Sequence, residues 1–284
     1  MAKVDLHLHS TASDGVLSPS GLVEKAAALG LTAIALTDHD NVDGIGPARE
    51  TAAAYPDLTF IPGVEINTDT PDGEAHILGY LIDHTSSALL EFLEYMRNAR
   101  LRRAGKILEK LAGLGMPVRM ERVREIAGDG SVGRPHIARA LLEKKYVGSL
   151  KESFDNYLAY GKTAYVPREK VTPAEAVELI IRVNGIPVLA HPLTGGIKDP
   201  ETLVAELARS GLAGLEAWYG KYSPEERILL VKLAEKYGLI TTGGSDYHGL
   251  DESAEIMMGE AGVPPEVVDN LLALAARRPL KTEA

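Results

Sequence analysis

The chain has 284 residues and no cysteine. Disulfide staples, thiolate zinc fingers and a thiol nucleophile are therefore excluded, and any metal must be held by nitrogen and oxygen ligands. No apolar run approaches the roughly 20 residues needed to cross a bilayer. The N-terminus runs into a strand pattern without a charged and apolar leader, so a soluble cytoplasmic protein is expected. Basic charge is also short: the formal net charge is −10. That balance argues against adhesion to long duplex nucleic acid, whereas small phosphorylated nucleotides and short RNA remain plausible ligands, because divalent ions can make one cleft locally positive. No Gly-x-Ser-x-Gly elbow, internal repeat or low-complexity linker is present.

What the chain has is 45% hydrophobic residues, enough to bury one α/β barrel or two ordinary domains. From Lys3 to about His84 strands and helices alternate. Strands are expected at Lys3–His9, Thr32–Asp38, Thr59–Asn67 and Glu74–Ile82. Helices are expected from Ser18 to Gly30 and from Val42 to Ala54. Ser18 as N-cap and Pro19 at the first helical position mark the first helix start. From about Ser86 to Asn156 the strand signal fades, and Leu89, Leu93, Met96, Leu101, Ile107, Leu108 and Leu111 recur at helical spacing. The rhythm returns near Val171, with strands at Ile186–His191, Leu215–Tyr219 and Leu239–Gly243 and a last helix from Pro265 to Ala276. Such alternation indicates parallel βα units. The simplest organisation is one barrel interrupted by a helical insertion: residues 1–86, then the insertion 87–166, then residues 167–284.

Seven of the eight histidines fall beside strands or helix starts. In an extended strand alternate side chains share a face, so His7 and His9 can grip one ion while Leu6 and Leu8 pack on the other side. Thr37-Asp38-His39-Asp40 ends the second strand, Gly63-Val64-Glu65 ends the third, and Ala75-His76-Ile77 lies in the fourth. Ala190-His191-Pro192 and Gly244-Ser245-Asp246-Tyr247-His248 end later ones. The carboxyl ends of parallel barrel strands gather at one mouth, so residues distant in sequence converge there. Singly, a strand-end histidine is more often hydrogen-bonded structure, Glu65 a solvated acid, and Asp38 or Asp246 a helix cap. Jointly the set indicates metal binding. His84 has no partner in the pattern and reads as surface.

These motifs resemble the PHP phosphoesterase family, a branch of the amidohydrolase superfamily, across both βα blocks. The helical insertion and Gly133-Arg134-Pro135-His136 resemble the subgroup of 3′,5′-nucleotide bisphosphate phosphatases, also described as RNase AM or TrpH-type 5′-3′ exoribonucleases. The resemblance implies a distorted (β/α)7 PHP barrel with an inserted small helical domain, an α/β fold. It implies a first ion at His7, His9, Glu65 and Asp246, a second at Glu65, His76 and His191, and a third at Asp14, His39 and His248. Many members carry histidine where Asp14 stands. Two or three divalent ions, manganese foremost with iron or zinc as alternatives, would supply an activated hydroxide for phosphate ester hydrolysis. Asp246, His248 and Glu65 are the expected catalytic residues. The implied reaction is loss of the 3′-phosphate from a 3′,5′-bisphosphonucleotide, with 5′-3′ degradation of short RNA beside it. The rivals are a phosphatase for another monoester such as histidinol phosphate, and a non-catalytic metal-binding domain.

Gly128-Asp129-Gly130-Ser131-Val132-Gly133 matches the spacing of a dinucleotide fingerprint but follows a helical stretch, so a Rossmann unit is rejected. Gly161-Lys162-Thr163 resembles the end of a Walker A loop, but Asn156 stands where its first glycine belongs. Pro135 suits the first turn of a helix running to about Leu142. Free backbone N–H groups, Arg134 and His136 would then converge on the substrate's second phosphate. Lys162 and Tyr165 are weaker candidates, and Trp218 and Tyr219 could stack on a base or pack in the core.

Overall fold

The computed structural model describes residues 3–128, 132–167, 171–250 and 255–277. The chain divides into two compact units, residues 1–90 with 170–284, and residues 91–169.

In the first unit seven strands lie side by side in chain order: β1 (Lys3–Leu8), β2 (Leu31–Leu36), β3 (Thr59–Asp69), β4 (Glu74–Tyr80), β5 (Ile186–Ala190), β6 (Gly214–Tyr219) and β7 (Ile240–Gly244). Just past β7, the Asp246 N–H donates to the His7 carbonyl at 3.0 Å and the His9 N–H to the Tyr247 carbonyl at 3.1 Å. These bonds nearly close the sheet into a barrel. Gly244 permits the approach, since a Cβ there would stand 2.4 Å from the His7 Cβ.

The expectation of parallel units fails at one strand. β4 runs antiparallel to both β3 and β5, and the other pairings are parallel. The connection from β3 to β4 is the turn at residues 70–73, where Thr70 and Gly73 bond each other. A parallel crossover needs a dozen or more residues, so a turn this short can only fold the chain back.

Helices α1 (Pro19–Ala28) and α2 (Ile45–Ala52) follow β1 and β2. α3 (Ser87–Gly113) leads into the second unit, which holds α4 (Met120–Ala127), α5 (Arg134–Glu143), α6 (Leu150–Ser153) and a π-helical turn at Phe154–Leu158. α7 (Pro173–Arg182), α8 (Pro200–Arg209), α9 (Pro224–Tyr237) and α10 (Glu266–Arg277) complete the first unit. The helix starts are written in the sequence. Ser18 accepts from the Gly21 N–H, and Thr172 with Glu175 and Ser223 with Glu226 form reciprocal capping boxes ahead of a proline. Such a cap contributes about 1 kcal/mol.

The second unit has its own core of Ile107, Leu111, Val123, Ile137, Leu141 and Leu158. In the barrel, Leu6 packs with Ile61, Leu78, Tyr80 and Val188, and Leu8 with Leu22, Val23, Ile34 and Leu36. Burying each such leucine contributes about 1.5–3 kcal/mol. That burial fixes β1 and so presents the alternate residues, Asp5 and His7, with His9 just beyond, to the opposite face. No described helix is long and apolar enough to cross a membrane.

Candidate metal centre

Glu65, in the middle of β3, is fully buried and stands at the centre of the histidines. Its Oε2 lies 3.1 Å from His7 Nε2, 3.3 Å from His9 Nε2 and 3.0 Å from His39 Nδ1. Its Oε1 lies 2.9 Å from His76 Nδ1 and 3.1 Å from His191 Nε2. Asp246 Oδ1 approaches His9 Nε2 at 3.2 Å and His7 Nε2 at 3.5 Å. Asp14, in the loop after β1, meets His248 Nε2 at 3.3 Å and His39 Nε2 at 4.0 Å.

Three groups of potential ligand atoms result: His7, His9, Glu65 and Asp246; His39, Glu65 and His76; and His9, Asp14, His39 and His248. The sequence placed His191 with Glu65 and His76. In the structure His39 joins that group, and His191 Nε2 faces the Glu65 oxygen that His76 meets. His39 thus turns a nitrogen toward each of two groups. The Asn67 amide nitrogen orients it, lying 3.2 Å from His39 Nδ1 and 2.9 Å from Asp40 Oδ2.

The donor set fits divalent ions on the state of its own atoms. His7 Nε2, both ring nitrogens of His9 and Glu65 Oε2 are buried and make no hydrogen bond within the described residues. Lone pairs held about 3 Å apart repel unless a proton or a cation lies between them. Ligand atoms each about 2.0–2.2 Å from a shared ion stand about that far from one another. A buried donor set left unsatisfied would otherwise cost several kcal/mol.

Comparisons with known proteins agree with this chemistry. The family model for the PHP domain matches residues 5–184. The chain belongs to the PHP domain family. It is 39% identical over 247 residues to the 5′-3′ exoribonuclease Rnm of Escherichia coli, covering 86% of this chain and 84% of the relative. It is 32% identical over 268 residues to a 3′,5′-nucleoside bisphosphate phosphatase of Chromobacterium violaceum, covering 93% and 94%. A solved structure from Bifidobacterium adolescentis, described as a candidate metal-dependent phosphoesterase, superposes with a TM-score of 0.82 at 28% identity, covering 96% of each chain. The barrel with its His, Asp and Glu clusters is that of a metal-dependent phosphoesterase, and the chain is such an enzyme.

Several residues of this PHP site carried no motif. Glu216, buried on β6, holds His7 Nδ1 at 3.0 Å with one oxygen and accepts the His191 N–H at 2.8 Å with the other. A carboxylate only accepts, so His7 Nδ1 carries a proton and Nε2 is the ring atom left to face Glu65 or an ion. His191 and His248 are fixed in the same sense. Thr194 Oγ1, donating to the His191 carbonyl, receives His191 Nδ1, and the Asp246 carbonyl receives His248 Nδ1 at 2.9 Å. Partners on the outer nitrogen commonly orient metal-binding histidines in this way. The one signal for Glu216 was an acid inside the apolar strand Leu215-Glu216-Ala217.

Two motif acids serve as anchors rather than facing the donor groups. Asp5 accepts from the Ser245 hydroxyl at 2.6 Å and from the N–H groups of Ser245 and Gly259. Asp38 gathers the Ser10 and Ser13 hydroxyls at 2.7 and 2.6 Å. Tyr219 donates to Asp246 Oδ2 at 2.9 Å, a use of that ring beyond packing. Asp246 (φ 58°) and His191 (φ 25°) both occupy the left-handed region. Such backbone persists where the surroundings impose it, as the Glu216 bond to the His191 N–H does here.

Burial disfavours charge throughout the cluster, yet the pairings decide the outcome. The carboxylates of Glu65, Glu216 and Asp246 raise the pKa of His7 well above its ordinary value, and Asp246 and Glu65 raise that of His9 to about 10. Against the same burial, histidines led by His39 and His7 hold Glu65 well below the carboxylate range. His39 itself is pushed down to about 4, chiefly by burial. Without metal, protons thus occupy His7 and His9 where an ion would sit.

Arg134 and His136 lie in the first turn of α5, in the second unit. The Gly133 N–H donates to His136 Nδ1 at 3.0 Å, so one of the N–H groups expected to meet an anion is already bound by the helix's own side chain. Arg134 Nη1 lies 3.4 Å from the Leu158 carbonyl. Residues 129–131 of the glycine loop lie outside the described residues. His84 is partly exposed beside Asp83 and Thr85, and it belongs to none of the three groups.

Proposed function

We propose that the enzyme removes the 3′-phosphate from 3′,5′-bisphosphonucleotides and degrades short RNA from its 5′ end, acting in the cytoplasm. The convergence of two donor groups on the buried Glu65 carboxylate, with a third sharing His9 and His39 with them, carries the phosphoesterase chemistry. Relatives named as a bisphosphate phosphatase and a 5′-3′ exoribonuclease support the substrate class.

His7, His9, Glu65 and Asp246 would hold one ion, Glu65 with His76, His39 and His191 a second, and Asp14, His39 and His248 a third. Such ions, manganese foremost with iron or zinc as alternatives, lower the pKa of water toward about 7 and neutralise phosphoryl oxygens. The remaining work falls to the chain. Tyr219 pins Asp246 Oδ2 and leaves Oδ1 turned to the histidines. Where Asp14, His39 and His248 hold no third ion, His248, fixed through Nδ1, offers Nε2, beside Asp246, as the group that moves the proton to the departing oxygen. Arg134 provides the planar fork for the substrate's second phosphate.

Purified protein assayed with manganese against a bisphosphonucleotide, a 5′-mononucleotide, histidinol phosphate and an aryl phosphate tests this. Preferred release from the bisphosphonucleotide is expected. Turnover of histidinol phosphate well above it would overturn the substrate assignment, and no metal-dependent release from any ester would overturn the site.

A further inference from the structure

Charge is divided unevenly between the two units. Residues 91–169 hold 16 of the chain's 30 lysines and arginines but 10 of its 40 acids. That unit is formally +6, and the rest of a −10 chain is −16. A compact basic unit attracts polyanions even when the whole protein is acidic.

One part of its surface adds aromatic rings to the cations. Tyr160 is 85% exposed, a ring standing in water where it contributes little to any core. It pairs with Tyr165 in a T-shaped arrangement, ring centroids 5.3 Å apart. α3 pins the segment that carries both rings. Lys110 Nζ donates to the Tyr165 carbonyl at 2.6 Å, Arg103 Nε donates to the Val166 carbonyl at 2.7 Å, and the Arg103 guanidinium lies 5.8 Å from the Tyr165 ring centre. The backbone between the rings is a closed turn: the Lys162 N–H bonds the Ala159 carbonyl, the Tyr165 N–H bonds the Lys162 carbonyl, and Gly161 takes φ 75°. Lys162 at its tip is exposed. All these residues belong to the one unit.

We propose that this face of the insertion, Tyr160 and Tyr165 with Arg103, Lys110 and Lys162, is a landing site for single-stranded RNA. A base stacks on Tyr160 and the flanking phosphates meet the cations. An acidic peptide would satisfy the charge but not the exposed ring, whereas every base offers a flat face to stack on it. A duplex keeps its bases stacked inside and would leave the ring unused. The proposal rests on the reading that RNA is among the enzyme's substrates, and it adds where the strand beyond the cleaved end is held.

The test uses the full-length, manganese-loaded protein and a 5′-phosphorylated single-stranded RNA of roughly ten nucleotides. Phosphorothioate linkages slow its hydrolysis, and binding is read by fluorescence anisotropy over a salt series. Tyr160→Ala is expected to weaken RNA binding about tenfold, and Tyr160→Phe to keep it within about twofold. Lys162→Gln is expected to weaken binding and to flatten the slope of log K against log salt by about one. The KM for a bisphosphonucleotide should move less than about twofold in Tyr160→Ala, because a mononucleotide carries no flanking strand to lie on this face. Unaltered RNA affinity in Tyr160→Ala would overturn the proposal, as would equal losses on RNA and bisphosphonucleotide. Polyglutamate displacing the probe as well as RNA does would overturn it in favour of an acidic protein partner. Binding is measured without turnover, so failure of the phosphatase reading would show separately, as absent phosphate release.

Discussion

His7 Nδ1 lies 3.0 Å from Glu216 Oε1, and the other oxygen of the same carboxylate accepts the His191 N–H at 2.8 Å. One buried acid on β6 thus sets the ring of a histidine on β1 and the backbone of a histidine after β5. These two histidines face opposite oxygens of Glu65.

Glu216→Gln leaves one acceptor where two are used, so one of the two bonds must fail. Manganese affinity should fall about 10- to 100-fold. Titration with manganese, alongside ¹⁵N spectra of the histidine rings, measures both the affinity and the His7 tautomer. Wild-type affinity with an unaltered tautomer would remove Glu216 from the account.

Glu65→Gln should be more severe, because His7, His9, His39, His76 and His191 lose their shared anion. Phosphate release is expected to fall by at least about two orders of magnitude, as each ion contributes both charge and position. Equilibrium dialysis should show fewer bound ions per chain. Full ion stoichiometry in Glu65→Gln would contradict its bridging place.

Histidine titration gives the metal-free protein a pH dependence with a defined sign. The folded pKa of His9 is raised from 6.5 to about 10. Its protonated form therefore stabilises the metal-free fold fully below about 6.5, and that stabilisation is lost progressively as pH rises to about 10. Melting temperature measured in chelator should fall across this window. With manganese the ion takes the proton's place, and the fall should shrink. A flat metal-free curve would count against the protonated cluster.

Arg134→Ala should raise the KM for a bisphosphonucleotide about tenfold and alter aryl phosphate turnover less than about twofold, consistent with one lost charge-assisted contact. Arg134→Lys should fall between, since lysine lacks the planar fork. Steady-state kinetics on both substrates decide it, and equal losses would refute the role.

Much of this site was legible because strand periodicity is rigid. His7 and His9 with Leu6 and Leu8 between them admit few arrangements, and the strand-end positions of His39, His191 and Asp246 follow from barrel geometry. Helix starts were legible for a similar local reason, as at Ser18-Pro19. The antiparallel course of β4 was less so, because residue alternation fits either direction and only the shortness of the 70–73 turn distinguishes them. Glu216 and Asn67 escaped because their work is done through contacts 209 and 28 residues distant. Nothing in the local pattern says that His39 will turn its Nδ1 toward Glu65. That depends on an amide supplied by the neighbouring strand.

The most direct measurement is anomalous diffraction at the manganese edge from crystals grown with that ion. The account predicts at least two peaks, both within bonding distance of the Glu65 carboxylate, one also touching His7, His9 and Asp246 and the other His76. Peaks that leave Glu65 untouched, or none among these residues, would contradict it.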